Sequence, residues 1–168
     1  MKNQRGQDLV EFALLIPLFF IFIFGIMYCG FLFGDYVTLN NEARSAAREA
    51  VIGVGSLSNS DDNTIKDYYE TIVKKYSKEI DGKGMITRLY KYDGMLISEG
   101  KKEKRTYSNI KGLSQVPGEI EVADDSVIVI IKTELNSDFL FPLKLKQYGV
   151  PLLDGYQIRY VMFNENYK

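Results

Sequence analysis

The fold of this chain is decided near its N-terminus by residues 12–34, which read FALLIPLFFIFIFGIMYCGFLFG. No residue in this stretch carries a charge, and nearly all of its side chains are apolar. As an α-helix the stretch would be ~35 Å long, which is enough to cross a hydrocarbon core of ~30 Å. A helix in the core of a soluble protein keeps a polar stripe, and this stretch has none. The sequence therefore predicts a single membrane-spanning helix.

The charges on either side of this stretch predict its orientation. Lys2 and Arg5 lie on the N-terminal side, and the cytoplasmic flanks of membrane spans carry an excess of such residues. Arg44 and Arg48 on the other side oppose this bias weakly. No small-x-small cleavage site of a secretory signal follows the span, so we expect the helix to be retained. The prediction is a cytoplasmic membrane protein with its N-terminus inside and its C-terminal region outside.

The composition of the 168-residue chain excludes several functional classes. Its 21 basic and 22 acidic side chains give a net charge of -1, which provides no field for holding nucleic acid. The absence of histidine excludes Ser-His-Asp and Cys-His catalysis and imidazole metal sites. Cys29 is the single cysteine, so neither an intrachain disulfide nor a multi-cysteine metal site can form. We expect a protein that is not an enzyme and that holds no cofactor or metal.

Carboxylates stand at the very edge of the predicted span. An ionised carboxylate costs about 2.5–3.5 kcal/mol at the bilayer centre and less near the interface, so this position invites an explanation. In one interpretation, Asp8 and Glu11 complement the positive end of the helix dipole. In the other, the chain is cut after Gly6, and the new α-amine of Gln7 lies one helical turn from Glu11. Amine and carboxylate would then pair within a subunit or between neighbours.

Residues 6–18, which read GQDLVEFALLIPL, resemble the processing site of type IV pilin-like proteins, which a prepilin peptidase cuts after the glycine. The closer similarity is to the TadE-like minor pilins or pseudopilins of the Tad (Flp) pilus system. Their opening runs as a glycine, Val-Glu-Phe-Ala, a few leucines and a proline, followed by an Ala/Arg-rich helical stretch. Here that stretch is residues 41–50, NEARSAAREA. The resemblance covers about the first third of the chain.

The resemblance implies that Gly6 carries the scissile bond and that Gln7 becomes the first mature residue. It also implies that Glu11, with its neighbour Phe12, guides subunit packing in the membrane or filament. Pro17 is the one helix breaker inside the span, and we expect it to mark a kink. The implied partners are the prepilin peptidase and other pilin or pseudopilin subunits, bound through the N-terminal helix. The alternative is an unprocessed single-pass anchor that displays an extracytoplasmic binding or sensor domain.

Beyond the span the helical pattern continues. Apolar and small side chains recur at helical spacing at Tyr36, Leu39, Ala43, Ala46, Ala47, Ala50 and Val51. We expect this stripe to pack on the chain's own domain, and we expect Gly53 to end the helix. A second helix is predicted from about Thr64 to Ile80. One face of it carries Ile65, Tyr68, Tyr69, Ile72, Val73, Tyr76 and Ile80, a spacing that indicates core packing.

The rest of the chain is predicted to be β-rich. Strands are expected at residues 85–92, 95–99, 119–123, 126–135 and 155–163. Asp93-Gly94 predicts a hairpin between the first two strands, and Asp124-Asp125 joins the next two. The run from Val127 to Ile131 is apolar on both faces, so it predicts a central strand.

These patterns together predict an α+β fold, in which a long N-terminal membrane-spanning helix continues into a pilin-like domain with a second helix and an antiparallel sheet. The predicted segments are a leader peptide at 1–6, the transmembrane helix at 7–34, its extramembrane continuation at 35–53 and an extracytoplasmic domain at 54–168. The predicted function is a minor pilin or pseudopilin that acts in pilus assembly, adhesion or secretion.

Overall fold

The computed structural model of the protein describes residues 4–57, 60–82, 90–100, 105–117, 126–136 and 154–163, together with positions 147 and 149. The helices in these ranges are α1 (Gln4–Ser56) and α2 (Asp62–Gly82), and the strands are β1 (Tyr90–Glu99), β2 (Arg105–Ser108), β3 (Ser126–Leu135) and β4 (Gln157–Phe163). All strand pairs are antiparallel, which confirms the predicted α+β class. The chain divides into two compact units, Met1–Gly34 and Asp35–Lys168.

The first unit is the N-terminal part of α1, and its apolar side chains are exposed. The most apolar part of α1 has a mean hydropathy of 2.6 over 18 residues, and none of that window is buried. Ile21, for example, is 68% exposed. By length and composition this is the one helix among the described residues that can cross a membrane. The helix runs through Pro17, where a kink stays a prediction.

The second unit is built around a core shared by both helices and the sheet. The α1 side chains in this core are those that the helical spacing selected, and four of them are fully buried alanines. The core contains Leu39, Ala43, Ala46, Ala47, Ala50, Val54, Ile65, Tyr69, Ile72, Val73, Tyr76, Ile80, Met95, Ile97, Val127, Val129, Ile131 and Ile158. The expectation that the α1 stripe packs on the chain's own domain is therefore confirmed.

The predicted end of α1 at Gly53 is wrong, because the helix continues to Ser56. The Ser56 hydroxyl donates to the Gly53 carbonyl oxygen at 2.7 Å, and the Leu57 amide donates to the same oxygen at 3.0 Å. Gly53 serves close packing instead, since a Cβ at this position would overlap the ring of Tyr68 on α2. The second helix extends two residues beyond each predicted end, and the predicted face is its buried face apart from the half-buried Tyr68.

The sheet has the strand order β2-β1-β3-β4. Strand β3 has the predicted bounds, and Val127 to Ile131 are all buried, which confirms a central strand covered on both faces. Strand β4 begins two residues later than predicted. The expected strand at 119–123 lies outside the described residues. Its predicted pairing with β3 is wrong, because β1 and β4 occupy both edges of β3 from Val127 to Lys132.

The predicted hairpin at Asp93-Gly94 is also wrong, because both residues lie inside β1 at a bulge opposite β3. Asp93 forms an ion pair with Lys132 of β3, at 2.9 Å between Oδ2 and Nζ. A Cβ on Gly94 would come within 2.9 Å of both Asn109 and Ile110, so the position favours glycine for packing reasons. The chain reverses instead between Glu99 of β1 and Arg105 of β2, which pair with each other.

Candidate functional site

The predicted processing site lies in the first turns of α1, which begins at Gln4. The Gly6–Gln7 bond therefore lies where the first four backbone amides of a helix have no intrahelical acceptor. Glycine also weakens a helix by about 1 kcal/mol relative to alanine. Unwinding this end to present the bond to an enzyme therefore breaks few hydrogen bonds.

The acidic residues of the candidate site follow within two turns. Asp8 and Glu11 are both exposed, three positions apart on α1. Backbone positions 7 and 11 are four residues apart, a rise of ~6 Å, so they lie on one side of the helix. An amine created at Gln7 and the carboxylate of Glu11 are therefore within pairing reach along α1.

The apolar surface begins immediately after Glu11. Phe12 is 63% exposed, and with Leu15, Ile16, Phe19 and Phe22 it lines a shallow apolar groove of about 500 Å³ on the first unit. This spacing places the side chains on one face of the helix. The groove is the kind of surface that lipid chains or another apolar helix can fill.

Small residues make a second feature of this surface. A Cβ added at Gly25, Gly30 or Gly34 would meet nothing within 4 Å. Glycine on a membrane helix permits close approach of a second helix backbone. The first unit therefore offers both a bulky aromatic part and a flat part further along α1.

A carboxylate on the second half of α1 ties this helix to α2, and no sequence motif indicated it. Glu49 Oε2 accepts hydrogen bonds from Lys75 Nζ at 2.7 Å and from the Tyr76 hydroxyl at 2.9 Å. The Tyr68 hydroxyl donates to the Glu49 carbonyl oxygen at 2.9 Å. The hydrogen bond to Glu49 raises the pKa of Lys75, while burial and then the Glu49 carboxylate raise the pKa of Tyr76. These bonds fix α1 against α2 through polar groups beside the alanine packing.

Tyrosines form a cluster at the start of the second unit, around the buried Asp35. The rings of Tyr90 and Tyr156 meet edge to face at 5.1 Å, and the ring centroids of Tyr36 and Tyr156 are 6.3 Å apart. Burial raises the pKa of Tyr156, and the charge of Asp35 raises it further. Asp35 directly follows the uncharged stretch, so the aromatic cluster begins where that stretch ends.

The structure thus brings Gly6, Gln7, Glu11 and Phe12 together on consecutive turns of α1, with Pro17 further along the same helix. It brings none of them into the core of the second unit. The chemical capacity of this site is cleavage at an accessible helix end and lateral association through an apolar face. The described side chains there are exposed and arranged as a surface rather than as a cavity.

Comparison with known proteins agrees with this surface. The sequence model of the TadE-like protein family matches residues 6–48. The match begins at the predicted scissile glycine and ends within the Ala/Arg-rich stretch, which confirms the resemblance over the N-terminal helix. No curated protein and no solved structure matches the chain. The family match supports involvement in a Tad pilus system.

Proposed function

We propose, from the TadE-like character of the N-terminal helix, that this chain is a minor pilin or pseudopilin subunit of a Tad (Flp) type IV pilus system. The observation that carries the proposal is the coincidence of two features in one helix. The family match begins at Gly6, and the helix that follows exposes an apolar surface long enough to span a membrane. A subunit with these features acts in assembly, adhesion or secretion rather than in catalysis.

The first step is hydrolysis by a prepilin peptidase. Water adds to the carbonyl of Gly6, and the Gly6–Gln7 amide bond breaks. The leader leaves with a carboxylate on Gly6, and Gln7 gains a free α-amine as the first mature residue. Removal of the leader also removes Lys2 and Arg5, so the cytoplasmic end becomes less basic.

The subunit is then held in the cytoplasmic membrane by α1, with its N-terminus inside and its second unit outside. The support for this orientation is the position of Lys2 and Arg5 before the span. The exposed apolar side chains of the first unit match a hydrocarbon environment, in which their burial in lipid replaces contact with water.

Assembly moves the apolar face of α1 from lipid to the helices of neighbouring subunits. Both surroundings are apolar, so the exchange has little hydrophobic cost, and close packing decides its outcome. Glu11 supplies the register, because an unpaired carboxylate in an apolar seam is penalised and pairing with an amine relieves the penalty. The α-amine of Gln7, in the same subunit or a neighbour, is the proposed partner, and Phe12 packs beside this pair.

The test is the intact mass and N-terminal sequence of the protein recovered from membranes with and without an active prepilin peptidase. We expect a peptidase-dependent start at Gln7 with the apolar helix retained. Gly6→Ala should block the cut, and Gly25→Ala, a glycine of the same helix with open space around it, should not. A start at Met1 despite an active peptidase would instead indicate a single-pass anchor that displays a binding or sensor domain.

A further inference from the structure

The second unit has a cleft at the end of its sheet where β3 ends and β4 begins. Its volume is about 630 Å³, which lies within the range of roughly 300–1,000 Å³ typical of small-molecule sites. Four charged residues line it: Lys132 and Glu134 from β3, Arg159 from β4, and Asp154 before β4. Two positive and two negative side chains give the lining a formal charge of zero.

Arg159 is the cation of this cleft with unused hydrogen-bonding capacity. Lys132 is already paired with Asp93, at 2.9 Å between Nζ and Oδ2. Arg159 is exposed, and its Nη2 lies 3.4 Å from the amide oxygen of Gln157. Within the ranges that the structure describes, no carboxylate forms an ion pair with Arg159. A guanidinium in this setting can offer a planar pair of N–H donors to a phosphate.

Glu134 supplies the opposite charge. It is exposed on β3, two residues from Lys132 and therefore on the same face of the sheet. A carboxylate only accepts hydrogen bonds, and a primary ammonium has three N–H groups to donate. A ligand that carries both a phosphate and a primary ammonium therefore complements Arg159 and Glu134 together, and it leaves the neutral lining neutral.

The place of the cleft in the unit indicates where such a ligand comes from. Tyr156 borders the cleft, and its ring centroid is 6.3 Å from that of Tyr36. Tyr36 follows Gly34, the end of the uncharged stretch, by two residues. The end of a membrane span lies at the level of the lipid headgroups, where tyrosine is enriched. In the membrane-anchored protein, this tyrosine contact leads from the headgroup level to the cleft.

We propose that the cleft binds the headgroup of phosphatidylethanolamine, with Arg159 donating to the phosphate and Glu134 accepting from the ammonium. The proposal rests on the membrane anchoring included in the proposed function. The bound lipid holds the second unit at the membrane surface until assembly withdraws the subunit from the bilayer. Choline headgroups lack N–H donors and fit Glu134 less well.

The test uses the full-length protein in lipid nanodiscs that contain a photoreactive phosphatidylethanolamine, with labelled peptides identified by mass spectrometry. In the unaltered protein we expect labelling at the cleft. Arg159→Gln should lower this labelling about tenfold, as the loss of charge-assisted hydrogen bonds does. Glu134→Gln should lower labelling by phosphatidylethanolamine and leave labelling by a photoreactive phosphatidylglycerol, which has no ammonium, unchanged.

Matched controls replace the same residue types at exposed positions outside the cleft. Arg48→Gln and Glu79→Gln should leave labelling unchanged. Equal labelling of Arg159→Gln and Arg48→Gln would overturn the proposal. Free phosphoethanolamine is the remaining arm: if millimolar concentrations abolish the labelling, the site takes a soluble ligand and the lipid assignment is wrong.

The proposal and the proposed function fail in different ways. The intact mass of the same samples, treated with prepilin peptidase, reports cleavage after Gly6 independently of lipid labelling. Cleft labelling in a chain that stays uncut rejects the pilin function and keeps the lipid site. Normal cleavage with labelling that ignores Arg159 rejects the lipid site and keeps the pilin function.

Discussion

Gly53 of α1 lies directly against the ring of Tyr68 of α2, so closely that a Cβ on Gly53 would overlap the ring. The Tyr68 hydroxyl is held in turn by the carbonyl oxygen of Glu49, one turn earlier on α1, at 2.9 Å. The ring therefore cannot move aside without losing this hydrogen bond. The glycine that resembles a helix stop in the sequence is a contact point between the two helices.

Gly53→Ala should therefore destabilise the protein. Alanine favours a helix by about 1 kcal/mol over glycine, but overpacking typically costs about 1–3 kcal/mol, and here the obstructing ring is rigid and hydrogen-bonded. We expect a net loss of about 1–2 kcal/mol in the free energy of unfolding, measured by denaturant titration of tyrosine fluorescence in mild detergent. Gly34→Ala, where the added Cβ meets nothing within 4 Å, is the control.

A double variant separates the clash from other effects. Tyr68→Ala removes the ring, so adding Gly53→Ala to it should cost nothing further and can recover the helix propensity of alanine. Additive losses in the double variant would show that the two residues do not interact, which would contradict the packing described here.

Gly155→Ala should have a larger effect, because its Cβ would overlap the backbone carbonyl oxygen of Thr133 in β3. The strands are closely tied at this point: the Thr133 amide donates to the Tyr156 carbonyl oxygen at 3.0 Å, and the Tyr156 amide donates to the Thr133 hydroxyl at 3.1 Å. A backbone obstacle cannot rotate away, so we expect a loss of about 3 kcal/mol in the free energy of unfolding.

Gly112→Ala provides the contrast to Gly155→Ala. Gly112 has open space around it but a φ of 76°, so alanine there meets strain without a clash. A residue with a side chain pays about 1–2 kcal/mol in this left-handed region. If Gly112→Ala were as damaging as Gly155→Ala, backbone strain rather than contact with Thr133 would account for the result.

The elements that the sequence predicts well are those in which local pattern and tertiary environment agree. Strand β3 is apolar on both faces because it is covered on both faces, and its predicted bounds are the observed ones. The buried stripe of α2 likewise follows the helical period of its sequence. In these elements the burial that stabilises the fold is also what creates the pattern.

The errors fall on glycines, whose local signal has more than one use. Gly94 after Asp93 has the sequence of a tight turn, yet the structure uses the pair for a bulge, because Asp93 meets Lys132 and Gly94 meets Asn109 and Ile110. Those partners are distant in sequence, so no local window contains the deciding contacts. The same holds for Glu49, whose partners Lys75 and Tyr76 lie on another helix.

Alkaline pH should weaken the contact between α1 and α2. The hydrogen bond to Glu49 raises the pKa of Lys75, and burial with Glu49 raises the pKa of Tyr76, from ordinary values of 10.5 and 10.0. Above these values the unfolded chain releases protons that the folded chain retains, so the free energy of unfolding falls as pH rises. The stabilisation is complete below pH ~10 and is lost as pH passes the raised folded-state values.

Thermal unfolding between pH 9 and pH 11.5 measures this effect. Glu49→Gln removes the acceptor charge, so its Tm should be lower than that of the unaltered protein near pH 9 and should fall less steeply above pH ~10. Glu134→Gln, an exposed carboxylate at the end of β3, should leave the slope unchanged. Parallel curves for Glu49→Gln and the unaltered protein would mean that Lys75 and Tyr76 titrate alike in both states.

The last prediction concerns assembly. Glu11→Ala should leave cleavage after Gly6 intact, because the altered side chain lies five residues from the cut, but it should reduce incorporation into filaments or pilus complexes about tenfold. The reason is that the α-amine of Gln7 then enters the apolar seam without a carboxylate, and an unpaired charge there costs several kcal/mol. Cleavage is measured by intact mass, and incorporation by quantitative immunoblotting of sheared surface fractions.

Asp8→Ala is the matched control, since Asp8 is an exposed carboxylate of the same helix but is adjacent to Gln7 in sequence rather than one turn away. It should assemble normally if Glu11 acts by pairing. If the helix dipole alone explains both carboxylates, Asp8→Ala and Glu11→Ala should instead show similar small losses, because charge near a helix N-terminus contributes only about 0.3–1 kcal/mol. The difference between the two variants therefore decides between register and dipole roles for Glu11.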